Sequence, residues 1–435
     1  MPEPERHSKT KGVAAWCLYD WANSAFPTVI ITFVFAAYYT KSVAVDEVTG
    51  TAHWGYAMSL SALAVALAGP VVGAIADNSG RRKPWLGFFT GLCVIASAGL
   101  WTIMPDPAFA FVALLIAGIG NFAFETGMVF YNAMLPGMVS SSRIGRVSGW
   151  GWGLGYFGGL TCLGLILVGL VQPEVPWFGL EKDEAQHIRA AAILVAFWYA
   201  LFALPLFAFT QDAPPSGLSA SQSLAKGMKE LRQTFTSVKK YGHIVRFLLA
   251  RMIYTDGLNT LYAFGGIYAV GVFDMTFDEL ILFAIAMNVT AGLGAAGFGW
   301  VDDWIGPKKT ILIALSFLTL LGAILLVIES KTMFWIFGVP LGIFVGPAQA
   351  ASRSMMARMA PKDLTTEMFG LYAFSGKATA FLGPALFGAV TAAFDSQRAG
   401  MATILIFFVV GMFLLVRVPA PGKGLQEEAE SPTLP

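Results

Sequence analysis

Twelve runs of apolar residues, each bounded by polar or charged segments, leave this chain few ways to fold. They lie at about 13–40, 54–76, 85–104, 108–135, 147–171 and 188–210 and, after a polar stretch, at about 243–273, 277–301, 308–328, 332–352, 366–392 and 399–416. Most are long enough to cross a hydrocarbon core of about 30 Å as helices. Their apolarity is continuous rather than alternating with period two, which argues against an outer-membrane barrel. Of 435 residues only 13% are charged, so twelve crossings and their connectors leave no room for a separate soluble domain. The expected fold class is an all-α polytopic membrane protein of twelve transmembrane helices, integral to the bilayer and read as a monomer.

The placement of charge sets the orientation, because cytoplasmic loops retain lysine and arginine. With the amino terminus inside, the inner segments carry 21 of the 28 basic residues, and the outer loops carry only Lys41, Lys182, Arg189, Lys331 and Arg398. Both termini are then cytoplasmic, as in a bacterial inner membrane. The formal net charge of +1 offers no basic excess for nucleic acid. Cys17, Cys93 and Cys162 all fall in apolar runs and read as small hydrophobes, not as a disulfide or metal framework. The first run, interrupted by Asp20, Asn23 and Pro27, reads as a retained span rather than a cleaved signal.

The two sets of six runs resemble each other. Gly73-x-x-x-Asp77-x-x-Gly80-Arg81-Arg82-Lys83 closes the second run, and Gly299-x-x-x-Asp303-x-x-Gly306-Pro307-Lys308-Lys309 closes the eighth, 226 residues later. Asp20-Trp21-Ala22-Asn23 has a counterpart in Asp256-Gly257-Leu258-Asn259, and Pro136 one in Pro361. Such self-similarity indicates a duplicated six-helix unit. The expected divisions are residues 1–210, a cytoplasmic linker at 211–242, and 243–435 with a cytoplasmic tail. Within the linker, Lys226, Lys229, Arg232, Lys239 and Lys240 alternate with Leu224, Met228, Leu231 and Phe235. That pattern predicts an amphipathic basic helix on the inner membrane surface, with a tether as the plain alternative to regulation.

The element from Gly73 to Lys83, with its second copy and the central basic loop, resembles the loop signature of the major facilitator superfamily. The octet Tyr19-Asp20-Trp21-Ala22-Asn23-Ser24-Ala25-Phe26, with Phe369-Gly370-Leu371-Tyr372, Gly376-Lys377 and Gly383-Pro384, is similar to the autophagy-related vacuolar effluxer family and its bacterial relatives. This resemblance implies the major facilitator fold, two pseudo-symmetric six-helix bundles, and a carrier, with amino-acid export suggested for fungal relatives. It also implies that Gly73, Asp77, Gly80, Arg81, Arg82 and Lys83, with Gly299, Asp303 and Gly306, latch the cytoplasmic side between conformations. A purely topogenic role for the basic triplet is the alternative. Asn78 departs from the basic residue usual after the superfamily's aspartate.

Five ionisable side chains are placed well inside spans by this reading: Asp20, Glu125, Arg251, Asp256 and Lys377. Each costs at least about 2.5–3.5 kcal/mol to insert and should face a wet cavity or a partner. Lys377 and Glu125 come out nearest the midplane, where they suit an anionic solute group or a proton, or form a permanent ion pair. Asp20 with Asn23, and Asp256 with Asn259, share helix faces at i,i+3 and suit an amine or cation, or serve as polar glue. Arg251 is placed to contribute to the cavity, to snorkel or to neutralise an acid.

Glycines at four-residue spacing in the fifth run predict close helix packing, with a similar set in the eighth. Gly370 to Lys377 imitates a phosphate loop without its spacing, its Ser/Thr or a preceding strand. His7, His53, His187 and His243 lie in loops or at a span edge with no ligand spacing. No cofactor, metal or enzymatic site is expected. The function expected is a secondary carrier of a small polar solute by alternating access, coupled to protons and favouring export, with an amino acid as one candidate. The alternatives are a proton-driven exporter of amphipathic drugs or metabolites, suggested by Phe33, Phe35, Phe122, Phe124 and Phe130, and a solute-sensing receptor without transport.

Overall fold

The computed structural model describes residues 3–236 and 241–421, and every regular element among them is helical. Lys239 and Lys240 of the expected basic helix, and the expected tail beyond residue 421, lie outside the described residues. The α-helices are α1 (Glu3–Asn23), α2 (Glu47–Ser79), α3 (Lys83–Gly99), α4 (Ala110–Met138), α5 (Ile144–Ile166), α6 (Gln186–Phe209), α7 (Ala220–Thr236), α8 (Gly242–Phe273), α9 (Phe277–Ile305), α10 (Pro307–Val327), α11 (Lys331–Met359), α12 (Thr365–Ser375), α13 (Leu382–Phe394) and α14 (Gln397–Val416).

Ten described helices are long and apolar enough to cross a membrane. The other two expected crossings differ for separate physical reasons. α8 has 32 residues but carries Arg246, Arg251 and Asp256, which dilute its hydropathy. The run at 366–392 is not one helix: it stops at Ser375 and restarts at Leu382. Pro384 explains the break, because a continuous helix would need its missing N–H and would clash one turn back. At the start of a new helix those first N–H groups have no intrahelical partner anyway.

α1 continues past Asn23 as a π-helix over Phe26–Phe33 and, after a four-residue α turn, as a second one over Tyr39–Val43. Pro27 sits at the start of the first, where its absent N–H forces a change of register. Capping fixes other starts. Asp46 accepts from the Thr49 amide and hydroxyl ahead of α2, and these bonds hold its carboxyl below the ordinary aspartate value. Thr276 and Glu279 form a reciprocal capping box at α9.

The first half packs around α1. Trp16 Nε1 donates to the Tyr131 carbonyl at 3.1 Å, Tyr131 donates back to Trp16 at 3.0 Å, and their rings stack at 4.4 Å. The Tyr19 hydroxyl bonds Thr90 and Tyr199 at 2.7 and 2.8 Å. The two halves meet along α2 with α12 and α5 with α9, a pseudo-symmetric pair of contacts. Small residues make both possible: Gly69 lies against Gly370, and Gly149 against the Ala295 carbonyl.

α7 lies within the linker and packs on protein as well as displaying charge. Gly227 lies on the α2 backbone at Ala74, Leu231 is buried, and Asn78 donates to Glu230. Leu224 and Met228 stay exposed.

Candidate functional site

At one end of the bundle, two aspartates each cap a helix of the opposite half. Asp77, on the last turns of α2, accepts from the amides of Thr366 (2.8 Å) and Glu367 (2.9 Å) and from the Thr366 hydroxyl (2.6 Å) at the start of α12. Arg82 bridges to Asp77 at 3.2 Å and donates to Thr366. Asp303, at the end of α9, accepts from the amides of Gly145 (2.8 Å) and Arg146 (3.2 Å) beside the start of α5, and pairs with Arg146 at 2.7 Å. A carboxylate at a helix amino terminus meets unsatisfied N–H groups and a favourable dipole.

Gly73 lets α12 come this close, since a β-carbon there would stand 2.5 Å from the Thr366 carbonyl oxygen. Gly299 does likewise against Arg146. Gly80 and Gly306 end their helices at positive φ. Lys83 donates to the carbonyls of Phe207 and Thr210, and Arg81 is exposed. Sequence reasoning missed the partners on this face: Arg358 bridges Asp302 and Asp303 at 3.2 and 2.9 Å. The copied Gly-x-x-x-Asp pattern gave no hint of them.

Further into the bundle Asp20 pairs with Arg353 of α11 at 2.9 Å. The same guanidinium donates to the Ser148 hydroxyl (2.9 Å), the Ser148 carbonyl (2.7 Å) and Asn132 (3.3 Å), and lies over the Trp16 ring at 4.8 Å. Every one of these partners is in the first half. Arg353 corrects the inventory of charges inside spans. The apolar run ends at residue 352, so Arg353 counted among the loop cations, whereas α11 runs on to Met359 and buries it. Asn23 is buried too, donating to the Met128 sulfur at 3.4 Å.

The remaining interior charges gather on the break between α12 and α13. Lys377, within the break, pairs with Glu125 of α4 at 2.7 Å, both about a quarter exposed. Arg251 neither snorkels nor meets an acid: it donates to the Tyr372 carbonyl (2.7 Å) and the Ser375 hydroxyl (2.8 Å), and stacks 3.5 Å above the Tyr372 ring. It thus satisfies the carboxyl end of α12. Asp256 is buried beside Thr379 of the break. Asn259 is exposed, so the i,i+3 pairing expected with Asp256 does not give them one environment.

Between the halves lies a cavity of about 550 Å³. It is walled by aromatic and aliphatic groups such as Phe33, Trp152 and Phe283, with Tyr156, Tyr262 and Gln349 at a polar patch. It lies away from the aspartate caps: its lining residue Asn288 precedes Asp303 by fifteen residues, about 22 Å of helix. Arg353 sits 5.6 Å from the Trp152 ring, behind the cavity wall. Lys377, Glu125 and Asp256 are not among the lining residues.

An MFS-type transporter of Bacillus subtilis, YxiO, is 27% identical over 421 residues, covering 94% of this chain and 95% of that protein. Autophagy-related protein 22 of Kluyveromyces lactis is 24% identical over 82% of this chain and 77% of its own. Among solved structures, the proton:xylose symporter XylE superposes with a TM-score of 0.73 at 13% identity, over 95% of this chain and 97% of that one. The human organic anion transporter MFSD10 gives 0.71 at 15%, over 95% and 100%. These likenesses give the major facilitator fold. Residues 40–429 match the family described as vacuole effluxer Atg22 like, and the chain belongs to that family.

Proposed function

We propose that the chain is a secondary carrier that moves a small polar solute across its membrane by alternating access, coupled to protons and working as an exporter. The observation that carries this reading is the asymmetry of the contact between halves. One end is tied by Asp77 on α12, Asp303 on α5 and the Asp20–Arg353 pair, while a cavity separates the halves toward the other end. If the basic loops are cytoplasmic, as charge placement argues, the tied end is the inner one and the cavity opens outward.

To expose the cavity to the cytoplasm, all three ties must part. The aspartate caps can exchange their amides for water. Arg353 and Asp20 cannot separate inside the bundle without replacing their charge compensation, because an unpaired buried ion is expensive. Each charge then needs its own compensation, a proton on Asp20 and a new partner for Arg353, and that need supports placing proton coupling there. Lys377 and Glu125 brace α4 against the broken crossing in this state, Arg251 caps the end of α12 and Asn23 ties α1 to Met128 of α4.

Purified protein reconstituted in proteoliposomes, screened against amino acids, sugars, nucleosides and organic acids, should show saturable flux of at least one class, changed by an imposed pH gradient and lost in Arg353→Ala. Binding without flux across the panel would favour a sensing receptor instead.

A further inference from the structure

Tyr156 of α5 donates its hydroxyl proton to Gln349 Oε1 of α11 at 2.6 Å and lies 3.0 Å from the Tyr262 hydroxyl of α8. With that proton committed, Tyr262 must be the donor in the second bond. What the patch presents to the cavity is then the Gln349 amide nitrogen as donor and the Tyr262 oxygen as acceptor. Asn288, which lines the same cavity, spends one N–H on the Ala284 carbonyl at 2.8 Å, leaving its second N–H and its oxygen as a further donor and acceptor. This set draws on four helices across both halves and consists of neutral groups.

No Asp, Glu, Lys, Arg or His is among the described lining residues. Asp20 is engaged with Arg353, Glu125 with Lys377 and Arg251 with the end of α12, while Asp256 lies buried beside Thr379 of the break, outside the lining. The walls include Phe33, Trp152, Leu261, Phe283, Phe334 and Phe408, with the hydroxyl side chains of Ser24, Thr28 and Thr32 along the continuation of α1. An ammonium or carboxylate entering here would leave water without a counter-charge, whereas an amide or hydroxyl edge would be matched.

We infer that the cavity takes an uncharged solute with an apolar ring body and one amide-like hydrogen-bonding edge, in preference to ions and zwitterions. This rests on the carrier reading and narrows its solute away from a free amino acid. The volume suits a molecule of that kind, since pockets of about 300–1,000 Å³ hold small organic ligands.

Four probes sharing an indole ring test it: indole-3-acetamide (neutral), tryptophan (zwitterion), tryptamine (cation) and indole-3-acetate (anion). Titrated into the full-length protein in nanodiscs, the amide should bind at least tenfold more tightly than each charged probe. Gln349→Leu should weaken the amide at least tenfold. Gln349→Glu should move the preference toward tryptamine, a ratio read within one variant and so independent of how much of it folds. Equal or tighter binding of any charged probe, or no binding of the amide, overturns the inference. Amide that binds but does not move in proteoliposomes leaves the inference standing and removes the carrier reading; flux of a charged probe without amide binding does the reverse.

Discussion

The Arg353 guanidinium crosses from the second half into the first and stands 2.9 Å from the Asp20 carboxylate, with each side chain less than a tenth exposed. Its other hydrogen bonds, to Ser148 and Asn132, also lie in the first half. One residue of α11 therefore depends on three helices across the interface for its charge compensation, so its state is bound to the relative position of the halves.

Arg353→Ala leaves Asp20 buried without its cation. Removing one partner of a buried pair costs about 3–5 kcal/mol, so thermal unfolding in detergent should drop sharply. Asp20→Asn with Arg353→Gln leaves no net charge to bury and should recover a good part of that loss. A double variant no more stable than Arg353→Ala would show that the charges are not coupled.

The aspartate caps should control access at their own end. Asp77→Asn weakens charge-assisted bonds worth about 1.5–3 kcal/mol in favourable cases, and Asp303→Asn does the same on the pseudo-symmetric side. Cys17, Cys93 and Cys162 are buried, so a cysteine placed at the buried Thr366 can be labelled against a low background. Labelling at Thr366→Cys should rise in Asp77→Asn and in Asp303→Asn, since both caps hold the same end closed. Unchanged labelling in both would mean that other contacts hold this end shut.

How much of this was legible in the sequence depended on whether a signal was local. The apolar runs and the repeated Gly-x-x-x-Asp gave the bundle and the elements at its tied end, because hydrophobic length and a duplicated spacing need no knowledge of partners. Arg353 was hidden because its helix continues beyond the apolar run, and only the position of Asp20 across the interface reveals why a charge belongs there. The break at Gly376–Phe381 had a local sign in Pro384 and two glycines, yet the run around it is apolar enough to pass for one crossing. The Tyr156–Tyr262–Gln349 patch had none, since its members stand on three separate helices.

Arg251 makes a conformational prediction. It satisfies the carbonyl of Tyr372 at the end of α12, and without it that buried group loses a charged donor. Arg251→Ala should destabilise by about 1–3 kcal/mol, with the change concentrated in faster amide exchange around residues 372–381. Arg251→Lys can keep one bond but not the stacking on Tyr372, and should fall between. Uniform exchange changes over the whole chain would argue against a local cap.

Asp46 gives a pH dependence outside the spans. Its carboxyl lies below the ordinary value because Thr49 donates to the ionised form, so the folded α2 start binds its proton later than the unfolded chain does. The stabilisation is present above the unfolded value and lost as pH falls through the folded one. Protection of the Thr49 amide, the slowing of its exchange relative to an unstructured amide at the same pH, should fall on acidification below about pH 4, and Asp46→Ala should show the low protection at every pH.

Glu125 and Lys377 distinguish a brace from a solute contact. The pair is about a quarter exposed, between the surface case, worth about 0–1 kcal/mol, and the buried one, where breaking it costs about 3–5. A double-mutant cycle with Glu125→Gln and Lys377→Met should give a coupling of about 1–2 kcal/mol between those limits. Each single variant leaves one charge beside the broken crossing and should slow transport about tenfold, whereas the double variant should return to within about threefold of the parent. A coupling that persists while the double variant stays as slow as the singles would mean that solute or proton meets these side chains directly, and would move the charge-bearing part of the transport cycle from Asp20 to the break between α12 and α13.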